Sequence, residues 1–559
     1  ELLDEGEENE NFTRIVPVYP LSEGLPQWVV RRAAQAAVEK YLEFVPETLS
    51  DAILKEHGLK RIHWALRQIH MPDSEEDQKA ARKRLVFDEF FRLQLALAVR
   101  RGQVHAEVGI AFPLDEHPEV IQDLKKLIPF ELTGAQDRVI HEILRDMREP
   151  HPMNRLVQGD VGAGKTLVAA AAMLACVRCG YQAVLMAPTE ILAEQHTANL
   201  RRLFEPLLIP VVSLVGRMTK TEKAKSRAKL ESGQPMIAVG THALIQDEVR
   251  LPKLGLAVID EQHRFGVMQR ASLRGKGFGN PDVLVMTATP IPRTLAMALY
   301  GDLDISVIDE LPPNRKPIKT HFKPPDQRES TYESAGQLLR QGAQAYVVCP
   351  LVGESEKMLA QAATELHDQL TGGQYHDLRV GLLHGQLKSK EKDAVMEAFR
   401  AHQLDVLVAT TVIEVGVDVP NATIMIIEDA HRFGLSQLHQ LRGRIGRGGK
   451  QSYCVLIGDA RTDEAKARMD IMVATSDGFR IADEDLKIRG PGDMLGTRQS
   501  GALGLHVADL IKDARMLEVA RTAAQDLLRQ DPTLSRPEHR ALKDVLRKQT
   551  ADLASIALS

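Results

Sequence analysis

A chain of 559 residues is too long for one hydrophobic core and implies several domains. With 44% hydrophobic and 26% charged residues its composition is that of ordinary globular proteins, which excludes disordered and membrane-embedded classes; the longest apolar run, Leu167 to Val177, is too short to span a bilayer. A formal net charge of -5 excludes a surface that is basic all over, so any nucleic-acid contact must be a local groove.

The opening residues Glu1 to Glu8 are acidic and lack the basic and apolar regions of a secretory signal, so a fragment of a cytoplasmic protein is expected. Four cysteines are too few for a disulfide framework. Cys176 and Cys179 form one C-x-x-C, but within an apolar helix and without a second pair, so packing is the preferred reading over zinc or redox chemistry.

Residues 12 to 128 read as a short extended piece, Arg14 to Leu21, followed by helices. One helix is well marked: Asp73 or Ser74 can cap it, Glu75, Glu76 and Asp77 complement its positive end, and Arg100 and Arg101 precede Gly102. Val86, Phe90, Leu93 and Leu97 recur at helical spacing, which makes it a packing helix; DNA contact through Lys79, Arg82, Lys83 and Arg84 is the lesser option.

From about 129 the texture changes to short aliphatic runs between helical segments: Ala183–Met186, Met236–Val239, Leu256–Ile259 and Val283–Met286. It restarts after Lys323 with Ala345–Val348, Val380–Leu383, Val406–Ala409 and Thr423–Ile427. Such runs are strands buried on both faces of a parallel sheet, so two α/β sheets follow one another. Leu311 to Pro317, rich in proline, is the natural linker.

The chemistry sits at the ends of these strands. Gly159 to Thr166 fits the phosphate-loop pattern G-x-x-x-x-G-K-T between an apolar strand and a helix. Gly159, Gly162 and Gly164 let backbone N–H groups approach phosphates, Lys165 supplies a point charge to the β and γ phosphates, and Thr166 offers a hydroxyl to Mg²⁺. Asp260 and Glu261 close a later apolar strand, where Asp260 can hold the Mg²⁺ and Glu261 can deprotonate the attacking water. His263, beside these acids, is either structural or a coupling residue.

The second sheet ends in Gln440 to Gly448, with arginines spaced by glycine. Such a segment can be a general nucleic-acid patch. A phosphoryl-transfer site, however, needs a guanidinium on the γ-phosphate, and Arg444 and Arg447 reaching across from the second domain would supply it.

From about Phe130 to Gly448 the blocks together resemble the superfamily-two helicases, which implies two tandem RecA-like parallel-sheet domains with ATP in the cleft between them. The resemblance implies that Gln136 reads adenine, and that Gly416, Asp418 and Gln440 belong to the nucleotide site. It gives Thr189, Thr241 and Thr410 contacts to the nucleic-acid backbone, and Thr287 and Thr289 the coupling of the two sites. Beyond the motor, Asp483 to Gly501 resembles the translocation element shared by the RecG and Mfd families, a helical hairpin whose Gly/Pro-rich loop exposes Arg489 and Arg498 to DNA.

Arg14 to Leu25 is similar to the segment that follows the wedge domain of the RecG family, which implies that most of that wedge lies outside this sequence. The expected organisation is a wedge remnant with linking helices (1-128), an ATP-binding RecA-like domain (129-318), a second RecA-like domain (319-470), and a C-terminal hairpin with helices (471-559). The resemblance implies an ATP- and Mg²⁺-dependent double-stranded DNA translocase that reverses stalled forks and migrates Holliday junctions in recombination and repair. Expected with it are branched DNA as partner, single-strand-binding protein at forks, a monomeric state and a bacterial cytoplasmic, nucleoid-associated location. An Mfd-like translocase that displaces RNA polymerase and a non-catalytic ATP-gated DNA clamp are the alternatives.

Overall fold

The computed structural model describes residues 15–22, 24–246, 248–260, 280–287, 290–299, 303–312, 316–349, 356–410, 419–446, 448–494 and 505–547. The first sheet contains β1 (Asn154–Gly159), β2 (Gln182–Met186), β3 (Val211–Leu214), β4 (Ile237–Gly240), β5 (Leu254–Asp260), β6 (Asp282–Thr287) and β7 (Asp304–Ile308). Its seven strands run in the order β3-β4-β2-β5-β6-β1-β7, with every pairing parallel. The second contains β8 (Lys319–Lys323), β9 (Gln344–Val348), β10 (Val380–Leu383), β11 (Val406–Ala409), β12 (Ala422–Ile427) and β13 (Tyr453–Ile457). Six strands here follow the order β10-β11-β9-β12-β13-β8, again all parallel.

Each aliphatic run singled out in the sequence falls in an interior strand or in the edge strand β10, where helices cover the sheet and β-branched side chains pack on both faces. The strands that carry no such run are β1, β3, β7, β8 and β13, and three of these are sheet edges. Lys319-Thr-His-Phe-Lys323 alternates exposed and half-buried positions, as an edge strand does. The second sheet therefore begins at Lys319, ahead of the restart read at Lys323.

The order of the first sheet places β1 beside β6 and β7, and β5 beside β6. The C-terminal ends of β1, β5 and β6 thus converge, as the carboxyl edge of a parallel sheet must for ligand binding. The helix Gly134–Arg148 is tied to the amino-terminal half of β1 by the buried Arg155, which donates to Asp146 (2.8 and 2.6 Å) and to Ser306 of β7 (2.7 Å).

The chain divides into two compact units. Both sheets belong to the unit formed by Val104–Pro292 and Leu303–Ile488; the other comprises Glu1–Gln103, Arg293–Asp302 and Arg489–Ser559. Within the latter, the helix Glu75–His105 starts where expected, with Ser74 Oγ accepting from Asp77 N–H (3.1 Å). It runs three residues past Gly102. Val86, Phe90, Leu93 and Leu97 are buried, as their spacing requires.

The two arginines of the basic patch on this helix are held in ion pairs within the unit. Arg84 is fully buried against Glu47 (2.6 Å) and Asp88 (2.9 Å), and Arg82 makes a fork to Asp513 (2.7 Å to each oxygen). Glu89 accepts from the N–H groups of His506, Val507 and Ala508, so one helix organises the C-terminal segment of the unit. Arg84→Ala would leave Glu47 without this cation and Asp88 with Arg92 (3.0 Å) alone, in a buried site, and should cost about 3–5 kcal/mol, read as a drop in the urea midpoint.

The helix Gly478–Met494 continues through Gly490-Pro491-Gly492, where a loop was expected; Arg498 lies outside the described residues. Among the described residues no helix is long and apolar enough to cross a membrane.

Candidate active site

The phosphate loop connects β1 to the helix Lys165–Arg178. Gly162 (φ 82°) and Gly164 (φ 88°) adopt left-handed conformations, which side-chain-bearing residues resist. At Gly164 there is also no room: a Cβ would come within 2.3 Å of Gln136 Nε2. Lys165 is buried and donates to the carbonyls of Gly159 (2.7 Å) and Asp160 (2.8 Å). Thr166 follows it in the first turn, at the positive end of the helix dipole.

Gln136 sits beside this loop with both ends of its amide engaged. Its Oε1 accepts from Thr133 N–H (3.0 Å) in a capping box, and its Nε2 donates to the Ala163 carbonyl (2.8 Å). The helix Gly134–Arg148 and the phosphate loop are thereby locked together.

Asp260 ends β5, two strands from β1, and accepts from His196 Nε2 of the helix Glu190–Phe204 (2.9 Å). His196 carries no local signal in the sequence, because its partner Asp260 lies 64 residues along the chain. Thr189 Oγ1 accepts from Leu192 N–H (3.4 Å), Thr241 and Thr410 are buried, and Thr287 ends β6 in register with Gln158 of β1. Glu261, His263, Thr289, Gly416, Asp418 and Arg447 lie outside the described residues, and the Arg489 side chain is likewise undescribed.

The second sheet contributes the helix Leu435–Arg442 and the turn that follows it. His439 Nε2 donates to Asp160 Oδ1 of the phosphate loop (2.6 Å). Gly443 packs on the same loop so closely that a Cβ there would fall 2.7 Å from the Val161 Cβ. Arg444, the next residue, is buried, and Gln440 is half-buried. A second bridge lies at the surface, where Arg217, in the turn after β3, donates to Asp393 of the helix Ser389–Arg400 (2.7 Å).

Burial pushes the Asp160 carboxyl up, but the contact with His439, the Val161 N–H and the Lys165 charge outweigh it and hold the carboxyl below its ordinary value. Cys176 and Cys179 behave as packing residues: burial drives the Cys176 thiol well up and Cys179 to about 11, so both stay protonated.

The geometry is that of a nucleotide site: a phosphate loop with a buried lysine, an acid two strands away on the same sheet, and an arginine-bearing turn from a second sheet lying against the loop. Comparison with known proteins agrees. Residues 133–298 match the DEAD/DEAH box helicase family, 330–449 the helicase conserved C-terminal domain, and 475–557 the C-terminal part of domain 3 of the ATP-dependent DNA helicase RecG. The chain is 49% identical over 524 residues to the ATP-dependent DNA helicase RecG of Synechocystis, covering 93% of this chain and 62% of that protein. With the Bacillus subtilis protein of the same name it shares 47% over 535 residues, 96% of this chain and 78% of the relative. Among solved structures, RecG bound to a three-way DNA junction superposes with a TM-score of 0.73 at 41% identity, covering 92% of this chain and 67% of that one. Fold, nucleotide site and sequence relationship lead to one assignment: the chain belongs to the RecG family of ATP-dependent DNA helicases.

Proposed function

We propose that this chain is the motor of an ATP-dependent double-stranded DNA translocase that remodels branched DNA, reversing stalled forks and migrating Holliday junctions in recombination and repair. One observation carries it: the turn bearing Arg444 lies against the phosphate loop, through Gly443 on Val161 and His439 on Asp160. A motor of this kind needs its ATP site divided between two sheets, so that hydrolysis changes their relation.

The roles follow from the chemistry. Lys165, now on its own loop's carbonyls, turns to the β and γ phosphates. Thr166 and Asp260 are hard oxygen donors suited to Mg²⁺, and Asp260 is already oriented by His196. Bound there, Mg²⁺ would neutralise charge on the phosphates. Glu261 takes the proton of the attacking water, while Arg444 and Arg447 stabilise the transferring phosphoryl group. Gln136 recognises adenine; Gly416, Asp418 and Gln440 complete the nucleotide site from the second domain. His263, Thr287 and Thr289 couple it to DNA, which Thr189, Thr241, Thr410, Arg489 and Arg498 contact.

The domains in this reading are 129-318 and 319-470 for the motor, 471-559 for the translocation element, and 1-128 as linking helices. The protein acts as a monomer in the bacterial cytoplasm, at the nucleoid, with single-strand-binding protein as a partner at forks. ATP hydrolysis measured with forked, linear duplex and single-stranded DNA tests the proposal. Forks should stimulate most and single strands least; equal stimulation by all three, or a maximum on single strands, would remove the branched-DNA reading.

A further inference from the structure

One residue of the helix Leu435–Arg442 and its C-cap glycine touch the phosphate loop, and they lie four apart. His439 and Gly443 therefore fall on one face of a single helical element, contacting the adjacent loop residues Asp160 and Val161. Neither His439 nor Asp160 has a part in the chemistry described above. Yet His439 is buried and its ring is held from both sides. Arg442 Nη2 donates to His439 Nδ1 (3.1 Å), and Arg442 is itself fixed by donating to the carbonyls of Met472 and Thr475 (2.9 Å each).

That arrangement selects a tautomer. A guanidinium can only donate, so Nδ1 must accept and the ring proton sits on Nε2, aimed at the Asp160 carboxylate. Gly478 closes the remaining side: a Cβ there would lie 2.6 Å from His439 Nε2 and 2.7 Å from the Pro290 side chain. An imidazole so confined has one orientation, and its single outlet is the phosphate loop.

We propose that His439 is a positioning residue for ATP hydrolysis: through Asp160 it sets the register of the Arg444 turn against the phosphate loop. A guanidinium stabilises the transferring phosphoryl group only if it is placed within a fraction of an ångström, and misplacement weakens the transition state far more than the bound ground state. Nucleotide affinity comes mainly from the loop and Lys165 on the first sheet. Loss of the His439 contact therefore lowers turnover and spares binding.

The proposal rests on the motor reading, and the measurement is DNA-stimulated ATP hydrolysis by the full chain together with binding of a fluorescent ADP analogue. His439→Ala should lower kcat about thirtyfold, with KM for ATP and analogue affinity changed by no more than about twofold. His439→Gln, which keeps an N–H donor, should recover most of the loss. In a cycle with Asp160→Ala, the double variant should be no worse than the poorer single one, because both remove the same contact.

A KM that rises while kcat holds, an unchanged kcat, or losses that multiply in the double variant would each overturn the role. Should His439→Ala fail to bind the analogue, Asp160→Ala and His439→Gln carry the same comparison, and a Gln variant as slow as Asp160→Ala would count against it. A wild-type chain without any DNA-stimulated turnover overturns the motor reading itself, and this inference with it.

Discussion

Lys165→Ala should lower DNA-stimulated ATP hydrolysis by at least about a hundredfold while the protein remains folded. The side chain is buried in the loop and neutralises two carbonyls, Gly159 and Asp160, so its removal leaves both acceptors without this donor. Each is a backbone group next to a flexible glycine turn and can turn to water once the ammonium is gone, which keeps the structural cost near that of an ordinary hydrogen bond, about 1–2 kcal/mol. The catalytic cost is larger because charge that develops between the β and γ phosphates loses its nearest fixed cation. Phosphate release with and without duplex DNA, alongside a thermal melt, separates the two. Turnover at the wild-type rate in a folded variant would reject the loop as the site of hydrolysis.

Arg444→Ala should reduce turnover by about a thousandfold, the range over which an arginine supplied to a phosphoryl-transfer site acts. Nucleotide binding should change little, since the side chain belongs to the second sheet. Lysine at 444 should not restore the rate: an ammonium lacks the planar fork that spans two phosphoryl oxygens. The same assay with a fluorescent nucleotide for affinity distinguishes a loss of turnover from a loss of binding. If Arg444→Ala lowered affinity and turnover together, the residue would serve the ground state, and a composite transition-state site would be ruled out.

Much of this site is legible in the chain because its parts are local. The phosphate loop declares itself through glycine spacing, since only glycine meets both the positive φ at 162 and 164 and the contact of Gly164 with Gln136. Interior strands show as aliphatic runs because both faces of a parallel sheet are covered. The edge strand Lys319 to Lys323 escaped the same rule: it keeps polar side chains because nothing covers one flank. The helix that starts at Gly478 likewise runs through Gly490-Pro491-Gly492, residues that by composition read as loop.

Pairings between distant residues were not legible. Arg82 and Arg84 read as a basic patch until their partners Asp513, Glu47 and Asp88 were in place. His196 meets Asp260, and His439 meets Asp160, across separations no periodicity encodes.

The sequence by itself thus determined which chemistry the chain carries: a phosphate loop, an acid at a strand end, and arginines held between glycines, each defined by neighbours a few residues away. Only the tertiary structure decided which histidines meet Asp260 and Asp160 and how the arginine turn is registered on the loop. Those contacts depend on the order of strands within two sheets and on the seating of one helix against the other sheet's loop, and such long-range geometry leaves no mark on local residue spacing.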